Sequence, residues 1–115
     1  MSKHDDEVRL RHMLEHAREA VAFVVGKDRS DLEDSRMLSL ALVRLIEIVG
    51  EAANRVSKAR QKQLSQISWP LVIGMRSRLI HGYDAVDLDI VWRTVTEELP
   101  ILITILEGII PQGDS

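Results

Sequence analysis

Apolar residues recur at spacings of three and four along most of the chain, the period of a helix with one buried face. In the first stretch, about residues 5–25, Val8, Leu14, Ala17, Val21 and Val24 form one stripe. Asp5, Asp6 and Glu7 suit the positive end of that helix, and Gly26 is a stop signal. In the second, about 32–56, Leu38, Leu42, Leu45, Ile46, Val49, Ala53 and Val56 make a continuous face. Arg44, Glu47, Glu51 and Arg55 run along its other side as a charge ladder. Gly50 costs this helix about 1 kcal/mol against alanine, so the pattern predicts another backbone passing close by.

Residues 58–66 are polar and read as a loop or a short turn of helix. A third helix is expected from Ser68-Trp69-Pro70, a polar cap with an early proline, to about His81, with Gly82 as its stop. The fourth begins after Asp87 or Asp89 and aligns Ile90, Val91, Val95, Leu99, Leu102, Leu106 and Ile109. Pro100 should kink or split it near Leu99. The expectation is one all-α domain over residues 1–115, an antiparallel up-and-down four-helix bundle with room for an extra short helix, a kinked last helix and a frayed tail at 111–115. Ile101, Ile105 and Ile110 lie off the main stripe of the last helix, which points to a homodimer.

Composition narrows the function. The 115 residues suffice for one core, and with aromatics at 3% that core must be aliphatic. No cysteine is present, which removes disulfides, thiolate metal sites and cysteine nucleophiles and fits a reducing cytoplasmic setting. No stretch reads as a membrane span. A net charge of −3 argues against a general nucleic-acid binder, so any RNA contact must be a local patch or one doubled by symmetry.

The third helix carries the candidate chemistry. At about 100° per residue, Arg76 falls inside the apolar arc of Val72, Met75, Leu79, Trp69, Ile73 and Ile80. A guanidinium there needs an ionic partner, with Glu47 and Glu51 the candidates, or an open cleft. On an unbroken helix His81 would lie about 140° from Arg76. The two could share a site only if the helix ends at Gly82 or a second subunit contributes. Read singly, Arg76 is as well a structural ion pair, His81 a helix-end residue and Tyr83 an ordinary packing residue.

Taken together, Arg76, His81, Gly82 and Tyr83 resemble the R-x4-H-x-Y motif of HepT-type HEPN toxins. The stretches LVRLIEIVGEAANRVS and VDLDIVWRTVTEELP are similar to the second and last helices of that family, so the resemblance spans about residues 8–106. Ser77 departs from it, standing where the family usually has a polar residue, often asparagine. The resemblance implies metal-independent RNA cleavage with no cofactor, a toxin of a toxin–antitoxin pair. The 2′-hydroxyl attacks the neighbouring phosphate, with His81 as base and Arg76 holding the phosphate oxygens, while Ser77 and Arg78 help bind the backbone. DNA, lacking that hydroxyl, should not be cut. The resemblance further implies a nucleotidyltransferase antitoxin that adenylylates Tyr83. The alternative is a non-catalytic nucleotide-binding or docking subunit for such a partner.

Two other patterns have plainer readings. His12 to His16 matches H-x-x-E-H, an inverted zinc-peptidase motif. With Leu14 on the core stripe and no third ligand, it reads as an exposed polar face. Trp69 and Trp92 could stack on bases, but beside apolar stripes they read as packing residues.

Overall fold

The computed structural model describes residues 3–81 and 85–111, with the backbone alone at 3 and 81. The helix α1 (Lys3–Phe23) ends in a turn at Gly26, whose φ of 76° is the left-handed conformation expected of a stop glycine. Next come α2 (Arg29–Asp34) and α3 (Arg36–Asn54). The second apolar stretch is thus two helices, where one was expected. Ser35 separates them with extended backbone, closing α2 and capping α3 through a bond from the Leu38 amide to its hydroxyl. Asp28 and Asp31 form a reciprocal capping box at the start of α2.

The pair α1 and α3 forms the centre of the fold. They run antiparallel: Asp6, near the start of α1, receives both the amide and the hydroxyl of Ser57, just past the end of α3, at 2.8 and 2.7 Å. Ser57 in turn caps α4 (Lys58–Gln63), the short helix for which the polar segment left room. Leu10, Met13 and Ala17 of α1 and Leu42, Ile46 and Val49 of α3 are fully buried between them.

Here the structure corrects the sequence reading most. Instead of one helix to His81, there are α5 (Trp69–Ile73) and α6 (Met75–Leu79), broken at Gly74. The chain then becomes extended: β1 (Ile80–His81) pairs antiparallel with β2 (Ala85–Val86), Ile80 opposite Val86 and His81 opposite Ala85. A hydrogen bond from the Asp87 backbone N–H to the Leu79 carbonyl, 2.8 Å, closes this small hairpin. The helix therefore stops at Leu79, ahead of the expected terminator Gly82, which lies outside the described residues along with Tyr83. β-branched Ile80 and Val86 favour the extended form and pack against the core.

Gly50 has the close backbone neighbour its position predicts. A Cβ there would sit 3.2 Å from the Val72 carbonyl and 3.4 Å from that of Ile73, so α5 crosses α3 at this glycine. Trp69 is buried and donates its indole N–H to the Leu64 carbonyl, while Trp92 packs against the core, in keeping with their packing role.

The last segment begins at Asp87, which caps α7 (Leu88–Arg93), and continues through a π-helical stretch (Thr94–Glu98) into α8 (Leu99–Ile109). The expected disturbance by Pro100 is this π segment. Pro100 has no amide to give the Thr96 carbonyl, and the Leu99 amide reaches back five residues to Thr94. Ile101 is 65% exposed, but Ile110 is buried and so is not part of any uncovered face, contrary to expectation. Among the described residues the architecture is all-α apart from the two-residue strands, and no helix is long and apolar enough to cross a membrane.

Candidate functional site

The hairpin, α6 and the first half of α3 enclose a cleft of about 690 Å³. Ile80, Ala85 and Val86 line one wall, Leu40 and Val43 of α3 another, with Glu33 and Arg36 at the mouth. Arg76 and Glu47 face each other across it, Arg76 Nε donating to a Glu47 carboxylate oxygen at 2.5 Å. The other carboxylate oxygen accepts from Arg44, 3.1 Å away. Glu47 is thus gripped by two guanidinium groups, and its bond to Arg76 in particular holds its carboxyl below the ordinary value of 4.5.

The arrangement answers the difficulty posed by a guanidinium on an apolar arc. Arg76 has both an ionic partner and an open cleft, and its side chain remains 59% exposed. The break at Gly74 is the reason, because α6 is a separate short helix that turns Arg76 out of the core. Among the described residues Arg76 hydrogen-bonds through Nε alone, which leaves the two terminal amino groups to bind an anion. Glu51, the other candidate partner, stays on the outer ladder beside Arg55.

The remaining expected site residues are placed differently from one another. The backbone of His81 is held in the hairpin opposite Ala85, which itself lines the cleft. Its five-residue separation from Arg76 is thus spanned by most of a turn of helix and an extended strand, so the helical angle between them no longer applies. Ser77 is exposed next to Arg76. Arg78 is bound to the Leu71 carbonyl and to Glu98, each at 3.2 Å, and does not line the cleft. The contribution of Arg36 and of the hairpin was not read from the sequence. The stretch His81-Gly82-Tyr83-Asp84, with a glycine and an aspartate, lying between β-branched Ile80 and Val86, was the available turn signal.

His12 and His16 do not converge on a common point. Their rings meet edge to face at 6.2 Å, and His16 Nδ1 is 2.7 Å from the His12 carbonyl oxygen. Among the described residues no group of three His, Asp or Glu side chains has metal-binding geometry.

Comparison with known proteins places this geometry in a family. The family model described as "Ribonuclease HepT-like" matches residues 13–109. A Methanocaldococcus jannaschii protein named "Putative RNase MJ1380" is 30% identical over 100 residues, 87% of this chain and 92% of its own. "Putative RNase TTE0752" of Caldanaerobacter subterraneus is 34% identical over 93 residues, 81% of this chain and 83% of its own. "Probable ribonuclease HepT" of Thermococcus cleftensis is 37% identical over 62 residues, 54% of this chain and 56% of its own. No solved structure matches. With the matched region running from α1 to the end of α8 and taking in the whole cleft, the chain belongs to the HepT-like ribonuclease family.

Proposed function

We propose that this chain is a metal-independent RNA endonuclease whose reacting phosphate sits in the cleft against Arg76. The carrying observation is that guanidinium: fixed by Glu47 at one nitrogen, exposed, and aimed into a cavity large enough for a nucleotide. Arg76 binds the phosphate oxygens through its free terminal amino groups and stabilises the charge that builds on them. His81, five residues on and beside the cleft wall, takes the proton of the 2′-hydroxyl, a task to which an imidazole is suited. The 2′-oxygen bonds to phosphorus, the bond to the 5′-oxygen breaks, and solvent protonates the leaving alkoxide. Products are a 2′,3′-cyclic phosphate and a 5′-hydroxyl. Ser77 and Arg78 are secondary contacts to the RNA backbone, Arg78 through the part of its guanidinium not engaged by Glu98.

The protein acts as a toxin working as a homodimer. Exposed Phe23, Val25, Met37, Leu40 and Ile101 support the dimer, because a monomer leaves these apolar side chains in water. A nucleotidyltransferase antitoxin restrains it by adenylylating Tyr83, where the added phosphate would compete with RNA for Arg76.

The deciding experiment is cleavage of a labelled RNA oligonucleotide in EDTA by wild type, R76A and H81A. Cyclic-phosphate ends from wild type and none from either variant are expected. Equal cleavage by all three, or cutting of the DNA counterpart, would refute the mechanism. Co-expression with a candidate nucleotidyltransferase followed by mass spectrometry tests Tyr83, and no added AMP mass on it would count against the modification.

A further inference from the structure

A second, smaller concavity of about 300 Å³ lies between α1 and α3, beyond the cleft. Arg9 and His12 enter it from α1, and Arg44, Glu51 and Arg55 from α3. Three guanidinium groups thus meet one carboxylate on a chain of net charge −3. Arg55 and Arg44 have side chains 58% and 65% exposed, and each has a single carboxylate partner, Glu51 at 3.5 Å and Glu47 at 3.1 Å. Arg9 is the least committed. Its Nε is buried without a hydrogen-bond partner, and no ion pair holds it among the described residues. That buried Nε is a cost to the fold, and the remaining guanidinium nitrogens are left to bind an anion.

The groove and the cleft share no lining residue, but one chain of ion pairs links them. Arg44 lines the groove, and the Glu47 that holds it also holds Arg76. Along α3, from Arg55 to Arg44, the groove covers about 16 Å at ~1.5 Å per residue. That is the length of a few nucleotides. No Trp, Tyr or Phe lines it to stack on bases.

We propose that the α1–α3 groove is a phosphate track that holds single-stranded RNA upstream or downstream of the scissile bond, with Arg9 and Arg55 as its principal contacts. It rests on the reading of the cleft as a ribonuclease site. Because the contacts are to phosphates, the track tightens binding without selecting sequence.

The test uses the full chain and a fluorescent 12-nucleotide RNA with 2′-O-methyl riboses, which cannot be cut. In fluorescence anisotropy, R9Q/R55Q should weaken Kd about tenfold. It should also flatten the dependence of log Kd on log salt by about 1.4, from ~0.7 per lost single-strand contact. R9K/R55K keeps both charges and should recover the slope. E51Q, which removes the opposing carboxylate, should tighten binding severalfold, a gain that damage to the fold would not produce. An unchanged Kd and slope in R9Q/R55Q, or no recovery with lysine, would overturn the track. So would full displacement of the probe by millimolar AMP, the sign of a mononucleotide pocket. The probe keeps the two readings apart. Groove-dependent binding without cleavage of ordinary RNA refutes only the nuclease reading, and cleavage with binding indifferent to R9Q/R55Q refutes only the track.

Discussion

Arg76 and Arg78 are two residues apart on the same five-residue helix, yet the fold gives them opposite circumstances. Two helical steps turn a side chain through about 200°, so one faces the α3 side and the other the π-helical side of the molecule. Arg78 lies away from the cleft, and one of its terminal nitrogens ties α6 to both the Leu71 carbonyl and Glu98. Arg76 is likewise held at one nitrogen, by a carboxylate that Arg44 also holds, but it lines the open cleft. The difference shows that a basic residue becomes a candidate anion site through where its remaining donors open. A guanidinium with no partner is poorly oriented, and one whose free donors face no cavity has no substrate to meet.

Several variants would break or sharpen this contrast. The largest effect is expected from R76A, which should lower kcat/KM on an RNA oligonucleotide about 10²–10³-fold, as loss of a preorganised charge contact does. R78A should lose less than about tenfold in the same assay while its Tm falls. Equal losses would erase the distinction between the two arginines. G50A comes next. Its Cβ must push α5, and with it α6, away from α3, and strain of this kind costs about 1–3 kcal/mol, against about 1 kcal/mol gained in helix propensity. Denaturant titration should show net destabilisation, and a stabilised G50A would mean that α5 is free to shift.

The smallest effect concerns the Glu47 pair, which is partly exposed and therefore contributes less than about 1 kcal/mol. Since Arg76 lowers the pKa of Glu47 on folding, the pair stabilises the protein above the ordinary carboxylate value of 4.5 and loses that contribution as pH falls through the lower folded value. The Tm difference between wild type and E47Q should therefore be constant near neutrality and vanish in acid. A difference that persists at pH 3 would place the effect of Glu47 in packing. Asp6 titrates in the same direction. Its own burial opposes ionisation, but the amide and hydroxyl of Ser57 overcome that and hold its pKa low.

Much of this organisation is legible in the chain itself. Amphipathic spacing locates α1, α3 and α8, Gly26 ends the first helix, and Gly50 betrays a crossing backbone because nothing else repays a glycine in mid-helix. The Arg76–His81–Tyr83 spacing marks the candidate segment and the family. These features are local or periodic, and side-chain identity suffices to encode them.

What only the tertiary structure decided is how that segment is shaped. Periodicity alone extends the third helix to His81, because Ile80 keeps the apolar rhythm. The fold instead breaks it at Gly74, where a Cβ would lie 3.0 Å from the Pro70 carbonyl, and draws Ile80 and His81 into a hairpin with Ala85 and Val86. Likewise the ladder on α3 offered Glu47 and Glu51 to Arg76 equally well, and the angle at which α6 meets α3 chose Glu47. The Arg76–Glu47 pair joins residues 29 apart in sequence, and the hairpin, though local, is held by the packing of Ile80 and Val86 against the core. Their energies are set by which backbones meet, and no local pattern records that.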